Sequence, residues 1–360
     1  MNLATAFAES VGKRPDKTAL YWGEREYSYA ELLAQSCAVA DTLQNRMRVQ
    51  PGDRVGIWLK NCPEFIPSLF GIIQAGAVAV PINNFLKPDE VNFILNDAAV
   101  NVMITDAELG SHHRALEVSR PHLRFLKIEE FEKLAEGQTG KHHTPRGSVR
   151  KAGPADLEQL AVLIYTSGTT GRPKGAMLSH ANLLHNVESC RIVLKTVDLD
   201  RFAVLLPLFH SYMLTVGLLL PLIVGGSIVL VKSLHPVRNV LQEILQRQAT
   251  VLPAIPQFYR SMVNASIPVP LPLRMCVSGA APLPVQVLRE FEAKFHIPLI
   301  EGYGLSEASP VVTKNPLDST RKPGSIGLPI PHVQVSIQDD RGNELPAHQH
   351  GELCVRGGNV

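Results

Sequence analysis

Short apolar runs, each long enough for one strand and each followed by a helix-length stretch, constrain this chain most. In the first half they fall at 55–59, 77–81, 100–105 and 123–128, with helical stretches at 63–75 and 88–96. Runs this continuously apolar belong to strands covered on both faces. Strands alternating with helices predict right-handed crossovers and a largely parallel sheet. Local signals agree. Ser28-Tyr29-Ala30-Glu31 reads as a capping box opening a helix to about 47. Pro51-Gly52-Asp53 turns the chain into the next strand, and Pro88 suits a first helical turn.

The second half repeats the theme. Ser179 is placed to cap a helix over 180–195, and 250–255, 274–278 and 297–300 read as strands. The stretch 284–296 reads as a helix with Val287, Leu288, Phe291 and Phe295 turned inward. The segment 136–156, rich in Gly, Lys, His, Arg and Pro, reads as a surface linker. Past 332, Val333, Val335 and Ile337 alternate with Gln334, Ser336 and Gln338. Asp340-Arg341-Gly342 makes a turn and 351–356 returns as a strand. The expectation is an α/β protein of two lobes, 1–155 and 156–328, each with a largely parallel, helix-flanked sheet. The start of a small antiparallel β unit follows at 329–360. That unit has no closing element, so the chain reads as a fragment of a longer protein.

At 360 residues there is room for two to three domains. Hydrophobic residues make up 45% and charged residues 19%, as in ordinary soluble domains, and a net charge of +2 argues against a nucleic-acid partner. Cys37, Cys62, Cys190, Cys276 and Cys354 are odd in number and widely spaced, which fits reduced thiols in the cytoplasm. Residues 1–17 lack the apolar core of a signal peptide. No Asp, Glu, Lys or Arg occurs in 202–231, long enough for a membrane span. Pro207, Pro221, Gly225-Gly226 and His210 interrupt it, so a strand, a buried helix and a strand at 226–231 explain it better. His112-His113 and His142-His143 have no third spaced ligand and read as solvated.

The chemistry concentrates at Thr166-Ser167-Gly168-Thr169-Thr170-Gly171-Arg172-Pro173-Lys174-Gly175, directly after the apolar run 160–165. Glycines let backbone N–H groups converge on an anion, four hydroxyls add donors, and Arg172 and Lys174 add charge. Such a loop suits a polyphosphate. It is not a Walker A loop, because Pro173 precedes Lys174 and the following 176–178 reads as a strand rather than a helix. The bland alternative is an unliganded Gly/Thr hairpin.

Tyr165 to Gly175 resembles the phosphate-loop signature of the adenylate-forming (AMP-binding) superfamily, which holds acyl-CoA synthetases, aryl-CoA ligases, luciferases and peptide-synthetase adenylation domains. Other stretches fit the same order along the whole chain. They are Pro207-Leu208-Phe209-His210, Ser278-Gly279-Ala280-Ala281-Pro282-Leu283, Glu301-Gly302-Tyr303-Gly304-Leu305-Ser306-Glu307, Lys322-Pro323-Gly324-Ser325-Ile326-Gly327 and Gly351-Glu352-Leu353-Cys354-Val355-Arg356-Gly357.

The resemblance implies a ligase that joins a carboxylic acid to ATP as an acyl-adenylate and passes the acyl group to CoA. It implies that Tyr303 packs on adenine, with Gly279, Ala280, Ala281, Glu301, Gly302, Gly304 and Ser306 around the nucleotide. Ser167, Gly168, Thr169, Thr170, Gly171 and Lys174 would hold its phosphates, and Thr166 and Glu307 would hold Mg²⁺. Thr166, Lys174, His210 and Glu307 are the expected catalytic set. His210 either meets the acyl carboxylate or is a buried structural histidine. Where members often carry Gly three residues after this His, the chain has Met213, which would reshape the acyl site.

The apolar 202–231 wall and the Phe209-His210 pair point to a fatty acid, since amino-acid adenylation domains usually place Asp at the His210 position. An aryl-CoA ligase, a non-catalytic nucleotide binder and a membrane-integral protein are the rivals. Loose attachment to a membrane surface and a homodimer stay open. The family's ribose-binding Asp and its small C-terminal domain are expected beyond Val360, so slow turnover is expected of these residues alone.

Overall fold

The computed structural model describes residues 1–134, 157–166, 172–234, 236–266, 270–318 and 320–360. The linker expected at 136–156, with His142 and His143, lies outside them, as do Ser167, Gly168, Thr169, Thr170 and Gly171 of the loop.

Helix α1 (Leu3–Lys13) leads into the hairpin β1 (Thr18–Trp22) and β2 (Arg25–Ser28), then α2 (Tyr29–Asp41). Ser28 caps α2 in a complete capping box with Glu31, and a π-helical turn, Thr42–Arg46, extends it. Then come β3 (Arg54–Trp58), α3 (Phe65–Gln74), β4 (Val78–Pro81), α4 (Pro88–Asp97), β5 (Val102–Thr105), α5 (Gly110–Ser119) and β6 (Arg124–Lys127). The phosphate-loop hairpin is β7 (Leu160–Thr166) and β8 (Lys174–Ser179), followed by α6 (His180–Val193) with Ser179 as its cap.

The acid- and base-free stretch folds as expected. It gives β9 (Arg201–Val204), a buried π-helical segment Met213–Leu219 running into α7 (Leu220–Val224), and β10 (Ser227–Leu230). Among the described residues no helix is long and apolar enough to cross a membrane. The chain continues through α8 (Val237–Gln246), β11 (Val251–Ala254), α9 (Pro256–Asn264), β12 (Met275–Ser278), α10 (Val285–Phe295), β13 (Leu299–Gly304), β14 (Val311–Lys314), β15 (Leu328–Pro329), β16 (Val333–Gln338) and β17 (Glu352–Gly357). The buried residues of α10 are Val287, Leu288, Phe291 and Phe295, the four expected from their helical spacing.

Two large sheets and a small antiparallel pair result. One sheet runs β6-β5-β3-β4-β7-β8, the other β15-β14-β13-β12-β11-β9-β10-β1-β2, and β16 pairs with β17. Central pairings are parallel, and antiparallel neighbours occur at the edges. The sheets do not follow the division expected at 155/156. The β7–β8 hairpin closes the sheet built by 54–127, and β1 and β2 edge the sheet built by later residues. A sequence boundary cannot reveal this, because pairing is chosen by apolar burial across the fold. One core joins both sheets, running from Phe7, Val55 and Phe70 to Leu214, Val277 and Val312.

Two further expectations change. The strand expected at 297–300 continues through Tyr303 and pairs antiparallel with β14, which the sequence reading did not foresee. His113 is buried rather than solvated, its Nε2 3.0 Å from Thr105 Oγ1. Among the described residues no His, Cys, Asp and Glu side chains gather as a metal cluster.

Candidate active site

The stem of the phosphate loop is set by cross-strand pairing, with Thr166 opposite Lys174. Thr166 is half-buried, while Arg172 and Lys174 are exposed at the hairpin mouth. Tyr165 pins the hairpin to α4 by donating its hydroxyl to Asp97 Oδ2 at 2.5 Å. Its ring lies on Gly175, the residue opposite, where a Cβ would come within 3.3 Å of Cζ. Burial raises the Tyr165 hydroxyl well above its usual pKa, and the Asp97 hydrogen bond adds to this, so the hydroxyl stays a donor at physiological pH.

A cavity of about 180 Å³ opens at the carboxyl ends of β12 and β13, as ligand sites do in open α/β sheets. His210, Gly279, Ala280, Gly302, Tyr303, Gly304 and Ser306 line it, together with Tyr212 and Lys314. Tyr212 is buried and donates to the carbonyl of Val277 at 2.9 Å. Its ring covers Gly279, where a Cβ would stand 3.1 Å from Cζ. A side chain there would push the ring back by a few tenths of an ångström.

His210 stands exposed at the cavity mouth, its Nδ1 accepting from the Tyr212 amide at 3.2 Å. Desolvation by its surroundings lowers the imidazole pKa and favours the neutral form. His210 and Ser306 also line a larger neighbouring space of about 730 Å³, whose walls include Thr166, Pro173, Ile164, Phe93 and Phe209. The two spaces thus meet at His210 and Ser306, where Ser306 Oγ lies 3.0 Å from Ser211 Oγ. Glu307 sits on the 3-10 turn Ser306–Ala308, which packs against β8. Its carboxylate is exposed and makes no hydrogen bond or ion pair with a described residue.

Several expected members sit apart or outside the described residues. Ser167 to Gly171 lie outside the described residues. Ala281 follows Ala280 on the loop after β12 and does not line the cavity. Glu301 turns to the other face of β13. One carboxylate oxygen accepts from the Leu283 amide at 2.8 Å, and the other is buried without a partner among the described residues. Burial pushes this carboxyl up. The sequence reading missed Tyr212 and Lys314. A tyrosine inside the apolar run 202–231 and a lysine ending a short apolar run were the available signals.

The profile described as "AMP-binding enzyme" matches residues 7–360. A long-chain-fatty-acid–CoA ligase of Bacillus subtilis (strain 168) is 32% identical, over 99% of this chain and 69% of its own length. A feruloyl-CoA synthase of an Amycolatopsis species is also 32% identical, over 96% of this chain and 68% of its own. The crystal structure of the anthranilate CoA ligase AuaEII in complex with anthranoyl-AMP superposes with a TM-score of 0.89 at 26% identity. The match covers 99% of this chain and 69% of that one.

Proposed function

This chain belongs to the AMP-binding enzyme family, and we propose that it is an AMP-forming acid–CoA ligase whose acid enters the cavity behind His210. One observation carries the reading: the space beside the phosphate-loop stem and the glycine-lined cavity meet at His210 and Ser306. A reaction between a polyphosphate and a carboxylate needs such a junction.

The chemistry is an attack of the acid's carboxylate oxygen on the α-phosphorus of ATP. The O–P bond to the acid forms, the bond to pyrophosphate breaks, and an acyl-adenylate results. The CoA thiol then attacks the acyl carbon, losing its proton, and AMP leaves. Two anions must meet, so the protein has to neutralise charge and align atoms. Lys174, Arg172 and the hydroxyls of 166–170 serve the leaving pyrophosphate. Tyr303 presents a flat face for adenine beside Gly302 and Gly304. A neutral His210 can donate one N–H to the acid's carboxylate without ion-pairing it into inertness. Mg²⁺ is a hard cation that takes oxygen ligands, and the Thr166 hydroxyl with the Glu307 carboxylate, which has no partner among the described residues, is a donor set that fits it. When bound, it would neutralise phosphate charge.

The acid is first read as a fatty acid, supported by the Bacillus subtilis relative. An aryl acid is the second reading, favoured by the feruloyl-CoA synthase at equal identity. The test is exchange of labelled pyrophosphate into ATP with a panel of alkyl and aryl acids in competition. Exchange with some acids and not others supports adenylation and names the class, and preference for benzoate-type acids overturns the fatty-acid reading. A cytoplasmic enzyme, loosely attached to membranes and dimeric, belongs to the same proposal. Sedimentation with and without liposomes tests the membrane part.

A further inference from the structure

The floor of the cavity holds a cation. Lys314 ends β14 and pairs with Gly302 of β13. Cross-strand partners share a face, so Lys314 lies over Gly302, and Glu301, one residue before, falls on the opposite face. Its chain occupies the place a side chain at 302 would need: a Cβ there would stand 2.8 Å from Lys314 Cδ and 3.2 Å from Nζ. Lys314 is only 7% exposed and lines the same cavity as His210. Among the described residues its ammonium has no hydrogen-bond or ion-pair partner. The ionisable groups acting on it are Glu301, across the sheet, and Cys190 beneath, whose thiol burial keeps neutral by raising its pKa to about 12.

Burial lowers the Lys314 pKa only to about 8, so it remains largely cationic at neutral pH. A buried, unpaired charge is costly, and an anion that pairs with it relieves that cost on binding. The cavity is smaller than the roughly 300 Å³ at which drug-sized sites begin, so the part of the acid between His210 and the floor is short.

We propose that Lys314 recognises a second carboxylate on the acid, so that a short dicarboxylic acid, in place of the fatty or aryl acid suggested by the relatives, is the preferred substrate. One carboxylate lies at the His210 mouth and the other on Lys314 at the floor. The catalytic part of this statement rests on the acid–CoA ligase reading; the binding part does not. A site that pairs a buried polar group discriminates strongly against the analogue lacking its partner.

The experiment takes succinate, glutarate and adipate, each beside the monocarboxylic acid of equal length. It measures protection against thermal unfolding and pyrophosphate exchange, in the wild type, Lys314→Met, Lys314→Gln and Lys314→Arg. One diacid should raise the wild-type Tm and exceed its monoacid at least tenfold in kcat/KM. The Met and Gln variants should lose that preference or invert it, and Arg should restore part of it. Without any acid, Lys314→Met should unfold at a higher temperature than the wild type, whereas a lysine serving structure would lower it. Monoacids preferred by the wild type and unchanged in Lys314→Met, with exchange intact, would overturn the proposal and leave the ligase reading standing. Protection by a diacid that the variants lose, with no exchange by any acid, would support the binding part of the proposal and overturn its catalytic part for this chain. No protection and no exchange with any of these acids would overturn the proposal.

Discussion

Lys314 is buried with no hydrogen-bond or ion-pair partner among the described residues, which costs the native state stability, and pH reveals the amount. The Lys314 pKa falls from its ordinary 10.5 to about 8 on folding, chiefly through desolvation. Below pH 8 both states hold the proton and the penalty applies in full. Between about 8 and 10.5 the native state sheds the proton while the unfolded state keeps it, so stability rises with pH across that window. The shift corresponds to at most about 3 kcal/mol. Denaturant unfolding at pH 7 and pH 10 should show that rise for the wild type and its loss in Lys314→Met. Lys174 behaves oppositely. Its side chain is exposed at the start of β8, so Lys174→Met should leave the unfolding midpoint within about 0.5 kcal/mol while weakening ATP binding. Calorimetric titration with ATP checks it, and unchanged affinity would remove Lys174 from the phosphate site. Motif order made Lys174 legible in the sequence. Lys314 was not, because a lysine ending an apolar run reads as a strand edge until β13 is seen beside it.

At the scale of elements, capping decided several helices before any tertiary contact. In α2 the Ser28 hydroxyl accepts from the Glu31 amide at 3.1 Å, and Glu31 Oε2 accepts from the Ser28 amide at 2.6 Å. Ser28→Ala should therefore cost about 1 kcal/mol, measured as a lower urea midpoint at unchanged slope. The phosphate-loop hairpin depends on tertiary contact instead. Tyr165→Phe removes the hydroxyl's bond to Asp97 and should loosen the β7–β8 stem. Faster amide hydrogen exchange at 174–178, with little change in global stability, is the expected outcome. Most strands were found from their apolar runs to within two or three residues, but β1, β2, β14 and β15 were not expected. The continuation of β13 through Tyr303 was not, since Glu-Gly-Tyr-Gly has little strand propensity and becomes a strand only because β14 pairs with it.

Across the whole molecule the two sheets share one core. Phe7 of α1 stacks on Phe70 of α3 at 4.1 Å between ring centroids, and Tyr29 of α2 donates to the carbonyl of Gly226 before β10. Phe70→Ala should cost about 3–5 kcal/mol. Because the core is continuous, near-UV signals from both sheets should be lost in one transition. Separate transitions would show two independent lobes. The expected boundary at 155/156 came from composition, and composition registers loops rather than pairing partners.

The sequence by itself determined the α/β class, most of the central strands, the capped helices and the family, because these reside in local periodicity, capping and contiguous motifs. Only the tertiary structure decided which sheet takes β1, β2, β7 and β8, and which face Glu301 turns to. It also decided that His210 and Ser306 join two spaces and that a cation lies at the floor of one. These are relations between residues far apart in the chain. They are settled by burial and cross-strand register, which no single stretch of sequence contains.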